Sequence, residues 1–211
     1  MSESLTTPKF RLSYPHLFTP RAIKPGDPAK FQMTALFDEN PEVPKGSCTI
    51  NDLKKAALAA ALEKWGDTEA TRKKIKSGAI KMPFIVPTEE QIEEGKYPEG
   101  TVLVLRCNSP EKSPPGVVDR FRGPDGKAVP ITDADVIYAG CYARASVRAF
   151  AYDRPDAKGV TFALNNVQKL GEGERFDGRR KAADEFEALD DTPPVDGGAA
   201  DAMGLDDDPL A

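Results

Sequence analysis

Between Cys141 and Tyr152 the chain alternates two kinds of side chain. The odd positions, Cys141, Ala143, Ala145, Val147, Ala149 and Ala151, are small and apolar, whereas the even ones, Tyr142, Arg144, Ser146, Arg148, Phe150 and Tyr152, are aromatic, cationic or hydroxylic. Successive side chains of a β-strand project to opposite faces, so this spacing predicts a strand with a small-residue face turned to a core and its rings and guanidiniums turned outward. Unpaired nucleic acid offers flat bases to rings and phosphates to cations, and each stacked base is worth about 1–3 kcal/mol by alanine substitution. The same residues fit a plainer arrangement, in which Phe150 and Tyr152 are buried against a helix and the arginines are ordinary solvated charges. Arg120-Phe121-Arg122 repeats the order cation, ring, cation; its alternative is one buried Phe between two exposed charges.

Residues for covalent or hydrolytic chemistry are sparse. A single histidine, His16, sits beside Pro15 and reads as structural, because a catalytic triad or a His-rich metal centre needs more. Neither G-x-x-x-x-G-K-[ST] nor G-x-G-x-x-G occurs, which removes the usual signs of nucleotide hydrolysis and dinucleotide binding. Glu89, Glu90, Glu93 and Glu94 could supply ligands to a two-metal nuclease, but neighbouring glutamates on a short helix more often face water. Arg72, Lys73, Lys74 and Lys76 form a basic run that either grips phosphate or is a solvated helix face. The expectation is a binding protein, not an enzyme, with no cofactor and no metal.

Charge is divided along the chain. Of 34 acidic residues, ten lie in 182–211, which holds none of the 29 lysines and arginines, so residues 1–181 carry a surplus of five positive charges and the end a surplus of ten negative ones. That division predicts one nucleic-acid-binding domain over 1–181 and a disordered acidic tail over 182–211, a polyanion able to compete with nucleic acid for one positive surface. Cys48, Cys107 and Cys141 are widely spaced and odd in number, so they read as reduced, mostly buried thiols. The N-terminus lacks the pattern of a secretory signal, and no run reaches the roughly 18 apolar residues of a membrane span; a soluble, cytoplasmic protein without a membrane partner is expected.

The elements that must position these residues are mainly β. Phe10, Leu12 and Tyr14 alternate with polar residues, predicting a strand that ends at Pro15, followed by an irregular basic loop from Phe18 to Ala29. Extended structure resumes over Lys30–Phe37. Leu53, Ala57, Leu58, Ala61, Leu62 and Trp65 recur at helical spacing, with Asn51 or Asp52 as cap and Gly66 as stop. A second helix is expected over 68–76, and Thr88-Glu89-Glu90-Gln91 reads as a capping box for a third. Residues 101–107, 136–152 and 160–168 read as strands, and Gly123-Pro124-Asp125-Gly126 as a tight turn. Many strands between Pro/Gly loops, with one substantial helix, favour a small β-barrel with helical insertions over an alternating α/β fold.

Two blocks, 136–145 (VIYAGCYARA) and 159–168 (GVTFALNNVQ), resemble those of a family of tailed-phage single-stranded DNA-binding proteins, and Lys9 to Phe18 looks like that family's opening strand. The resemblance spans most of 9–172. It implies an OB-type five-stranded β-barrel that coats single strands during phage DNA replication or recombination, with an acidic end that recruits replication proteins. The resemblance does not single out contacts; the cation and ring pattern does, with Arg120, Arg122, Arg144 and Arg148 expected to hold the backbone, Tyr142, Phe150 and Tyr152 to stack bases, and Phe121 to join the DNA-binding surface. Asp206, Asp207, Asp208 and Leu210 then form the partner-binding end, Leu210 standing where a terminal aromatic is the commoner pattern. The alternative is a non-catalytic phage interaction factor, a recombination mediator or assembly protein, that uses the same β surface; a metal-dependent DNA-cleaving enzyme is a third. Unpaired edge strands would also admit a homodimer.

Overall fold

The computed structural model describes residues 3–22, 25–155 and 157–176. The chain divides into two units, 1–179 and 180–211, of which the second, with the predicted acidic tail, lies outside the described residues. In order, the elements are β1 (Leu5–Thr6), β2 (Phe10–Arg21), β3 (Lys30–Phe37), α1 (Ile50–Trp65), α2 (Glu69–Lys76), β4 (Phe84–Ile85), α3 (Glu89–Glu93), β5 (Leu103–Pro110), β6 (Gly116–Arg122), β7 (Ala128–Pro130), a 3-10 turn over Ala134–Val136, β8 (Tyr142–Asp153) and β9 (Lys158–Gly171).

Five of these strands close a ring. β8 pairs with β2, β2 with β3, β3 with β5, β5 with β9, and β9 returns to β8; all are antiparallel except β5 with β9. This is the expected five-stranded barrel of OB type, with β1, β4 and the β6–β7 hairpin added around it. Closure removes the free edges that a flat sheet of these strands would carry.

The interior follows from alternation. Phe10 and Leu12 of β2, Met33, Ala35 and Phe37 of β3, Leu105 and Cys107 of β5, and Phe162 and Leu164 of β9 are all buried in one core. β8 supplies only Ala143, Ala145, Val147 and Ala149 to that core, each at most 1% exposed. Its small residues leave room for the edge-to-face pair Phe10 and Phe37, 5.7 Å between centroids. α1 adds Leu53, Ala57, Ala60 and Ala61 to the same core. Cys107 and Cys141 are buried and Cys48 half-buried, all three as free thiols; full burial pushes the Cys107 thiol up to about 12.

Several boundaries differ from expectation for identifiable reasons. β2 does not stop at Pro15 but runs to Arg21, and its pairing with β3 skips register around Pro15 and again between His16 and Arg21. A proline cannot donate to the ladder, so the strand passes it on irregular pairing instead of ending there. The cap of α1 is Thr49, not Asn51 or Asp52. The Thr49 side chain accepts from the backbone N–H of Asp52, whose carboxylate accepts in return from the Thr49 N–H at 2.9 Å. The expected capping box at Thr88 and the stop at Gly66 are present. The extended stretch expected from Val136 starts later, at Tyr142, because Asp133 caps a 3-10 turn by accepting from the N–H of Asp135 at 2.9 Å.

After β9 the chain folds back as a strap over residues 172–176. Tyr138 donates to Glu172 and accepts from the Gly173 N–H at 3.1 Å, while the buried Lys169 reaches Glu172 at 2.6 Å. Phe176 donates its N–H to Ala139 O at 3.1 Å. The strap runs so close to Gly140 that a Cβ there would lie 2.0 Å from Glu174 O, and Gly140 has φ +113°. Gly140→Ala therefore combines a backbone clash with a strained dihedral, and we expect a loss of about 2 kcal/mol or more, read as a lowered urea unfolding midpoint at unchanged slope. A midpoint equal to the parent's would show that the strap is not packed as described.

Candidate nucleic-acid interface

The outer face of β8 carries the residues predicted from its alternation, but on three separate patches. At the N-terminal end Tyr142 lies beside two cations of β2 and its approach, with Lys9 Nζ 5.2 Å and the Arg11 guanidinium 5.3 Å from its ring centre. Arg144 is already engaged: Nε donates to Gln168 Oε1 at 2.8 Å and one terminal nitrogen to Lys45 O at 3.0 Å. Gln168 donates onward to Asp119 O at 3.0 Å, and Arg120 donates to Leu170 O at 3.1 Å, so Tyr142, Arg144 and Arg120 fall on one row across β8, β9 and β6. Arg120 also lies 4.9 Å from the ring of Phe121, which is 59% exposed on the β6–β7 hairpin next to exposed Arg122.

Arg148 and Phe150 are both exposed, about 20 Å along the strand from the Tyr142 end at its far part. They line a shallow hollow with Ala60, Glu63 and Lys64 of α1. The Arg148 side chain has no hydrogen bond or ion pair with a described residue, while its backbone sits in the ladder opposite Ala163. Tyr152 is half-buried under Arg154, 5.2 Å from its ring. The structure therefore joins Tyr142, Arg144 and Arg120 in one row, and places Arg148, Phe150 and Tyr152 beside α1 and Phe121 and Arg122 on the hairpin.

A concave site lies elsewhere, on the outer face of β2, β3 and β5. Two hollows of about 310 Å³ and 840 Å³ share Tyr14, His16 and Tyr97. The floor of the smaller is Gln32, Thr34, Arg106 and Asn108 of β3 and β5; Tyr14 of β2 and the buried Tyr97, in the loop after α3, border both, and Lys96 lines the larger. Arg21 and the strap residues Arg175 and Phe176 close the larger end. Tyr14 is 66% exposed and has φ +48°, a left-handed backbone uncommon for a residue with a side chain. That conformation coincides with the first register skip of β2 and turns the phenol out of the strand's regular alternation. A large exposed ring held at a conformational cost is a feature found at binding sites.

The charges of this groove are mostly positive and mostly free. Arg21, Lys96 and Arg106 form no ion pair with a described residue, whereas Lys9, Arg72, Lys73 and Lys158 elsewhere are paired to carboxylates. Arg11 is held in place: it donates to Gly140 O at 2.7 Å and Glu174 O at 2.6 Å, and its guanidinium sits between the rings of Tyr142 and Phe176, at 5.3 Å and 4.7 Å. His16, expected to be structural, lines the groove; burial and then the charge of Arg21 hold its imidazole below the ordinary value. Among the described residues no group of three or more His, Cys, Asp or Glu is placed to hold a metal ion, and no helix is long and apolar enough to cross a membrane.

The sequence reading did not select this groove, although a signal was present. Lys30, Gln32 and Thr34 alternate with Phe31, Met33 and Ala35, and Arg106 and Asn108 with Leu105 and Cys107, so two adjacent strands each bear a polar face. Neither face carries an aromatic, and the rings that flank them come from Tyr14 and Tyr97, distant in sequence.

A family described as that of the Enterobacter phage Enc34 ssDNA-binding protein matches residues 3–195 of the chain. The solved structure of the single-stranded DNA-binding protein from bacteriophage Enc34 in complex with ssDNA aligns with a TM-score of 0.51 at 21% identity, covering 82% of this chain and 89% of that one. The same phage protein in another structure gives 0.53 at 20% identity, over 87% and 90%. gp2.5, a single-stranded DNA binding protein encoded by bacteriophage T7, aligns at 0.53 with 13% identity, over 89% of this chain and 98% of that one. At these identities the structural likeness is one of fold. No curated protein matches the sequence.

Because His16 is the sole histidine, its titration gives one unambiguous signal. Its NMR midpoint should lie below the usual imidazole value of about 6.5, and Arg21→Gln should move it upward by removing a nearby positive charge. A midpoint unaffected by that substitution would show that Arg21 does not face the imidazole.

Proposed function

Because the chain belongs to the family of the Enterobacter phage Enc34 ssDNA-binding protein, we propose that it coats single-stranded DNA without catalysis during phage DNA replication or recombination, in the cytoplasm of the host cell. The observation that carries this reading is the groove over β2, β3 and β5, where exposed Tyr14 and half-free cations share one concavity. Arg21, Lys96, Arg106 and Arg175 are suited to phosphates and the exposed ring of Tyr14 to a base face, while Tyr97, buried against Leu36 and Val104, shapes the wall. Past Arg11 the path continues to Tyr142, so the row with Arg144 and Arg120 extends the strand-binding surface. Phe121 and Arg122 on the hairpin, and Arg148, Phe150 and Tyr152 beside α1, are reached only by a strand that wraps further round the barrel.

Residues 182–211 act as the second functional part. Ten carboxylates against none of the basic residues give a tethered polyanion that competes with DNA for the groove of the 1–181 domain, and salt weakens both interactions. Once displaced, its end, with Asp206, Asp207, Asp208 and Leu210, is free to recruit replication or recombination proteins.

Two measurements with oligo-dT at several salt concentrations test the groove. Tyr14→Ala should weaken binding by about 1–3 kcal/mol with little change in salt slope, and Arg106→Gln should reduce the slope by about 0.7 for one lost phosphate contact on a single strand. A larger loss from Tyr142→Ala with Phe150→Ala than from Tyr14→Ala would place the stacking platform on β8 instead. Removing residues 182–211 should tighten oligo-dT binding most at low salt, and equal affinities with and without them would rule out competition by the tail.

A further inference from the structure

The floor of the groove has a chemistry that stacking does not use. His16 of β2 is in register with Gln32 of β3, and Gln32 is in register with Asn108 of β5, so three hydrogen-bonding side chains stand abreast on adjacent strands. Adjacent strands lie about 4.8 Å apart, which makes the row roughly 10 Å wide. Their neighbours Leu17, Met33 and Cys107 are buried in the core, which fixes the alternate residues Gln32 and Asn108 on the outer side. All three are half-buried within the 310 Å³ hollow, and none has a side-chain hydrogen bond to a described residue.

Without protein partners these half-exposed groups bond to solvent, and a ligand whose edge reproduces those bonds can take the solvent's place. An amide presents a donor and an acceptor side by side, and an imidazole held neutral presents one of each. The exposed Watson–Crick edge of an unpaired base offers the complementary mixture. Phosphate does not, since it only accepts, and cations are at hand to meet it, Arg106 in the same hollow and Arg21 and Lys96 in the adjoining one. The ring of Tyr14 stands exposed in one wall, so a base that lays its face against that ring brings an edge to the floor.

Resting on the single-strand reading above, we propose that His16, Gln32 and Asn108 hydrogen-bond the Watson–Crick edges of unpaired bases, and that this row sets the protein's discrimination against duplex. In a duplex those edges are engaged by the complementary strand, and the row stays unsatisfied. Sequence tolerance is retained because Gln and Asn amides can rotate to meet either order of donor and acceptor.

The test compares the full chain's affinity for oligo-dT with that for an oligomer of equal length built from N3-methylthymidine, which keeps the charge and the ring face but blocks the Watson–Crick edge. The parent protein should bind the methylated oligomer roughly tenfold more weakly, as expected for loss of one good two-point contact. In the double variant Gln32→Ala with Asn108→Ala the two oligomers should bind alike. Equal binding of both by the parent protein overturns the proposal while leaving single-strand binding intact. A tenfold factor that persists in the double variant also overturns it, by placing the edge contact elsewhere. Failure of the parent protein to retain either oligomer even at low salt would instead sink the single-strand reading, and the row's role with it.

Discussion

Strand β9 is the constraint on which the rest of the molecule depends. It pairs antiparallel with β8 from Tyr142 to Asp153, then reaches β5 and later β6 as a parallel neighbour. Parallel pairing needs a long connection, and here that connection contains the β6–β7 hairpin, the 3-10 turn and β8. Without the short parallel contact of Cys107 and Asn108 with Phe162 and Ala163, β2, β3 and β5 would be part of an open sheet with a free edge. Closure curves that sheet and leaves its outer face clear for Tyr14 and Lys96 to border, with Tyr97 buried beneath the rim. The groove is thus a product of barrel closure, not of any local motif.

The distribution of ion pairs separates structural cations from available ones. Lys9, Arg72, Lys73 and Lys158 lie against carboxylates, Lys169 is buried against Glu172, and Arg144 is held by a glutamine and a backbone carbonyl. Such exposed pairs add little stability, typically up to about 1 kcal/mol, but they cancel charge locally. Among the described cations without a carboxylate partner, Arg21, Lys96 and Arg106 line the groove, while others, such as Arg148, lie elsewhere on the barrel. Those three leave the groove with positive charge that a polyanion can use.

Much of the fold was legible because it rests on period. Alternation in 141–152 gave both the strand and its inner face, and Leu53, Ala57, Ala61 and Trp65 marked α1. Composition alone did not reveal where β2 ends, since Pro15 and Pro20 normally stop a strand and here a strained Tyr14 and skipped register carry it through. The candidate site was harder to read. The even face of β8 was found correctly as a face, yet which of its residues are free depends on Gln168, Lys45 and Ser47, partners set by tertiary packing. Conversely, Gln32, Arg106 and Asn108 look unremarkable in sequence and become a floor only when β3 and β5 pair.

Arg11 connects the two surfaces. Its guanidinium is flanked by Tyr142 of the β8 row and by Phe176 at the end of the groove, and it donates to carbonyls of the turn and strap, Gly140 and Glu174. A guanidinium fixed by two carbonyls loses little further freedom when a base or phosphate arrives, and its flat faces already suit rings. The same contact joins β2 to the strap that leads out of the described fold. Whatever occupies the groove beside Phe176 must therefore also meet Glu174 and Arg175 of the strap, so groove and strap share a set of atoms.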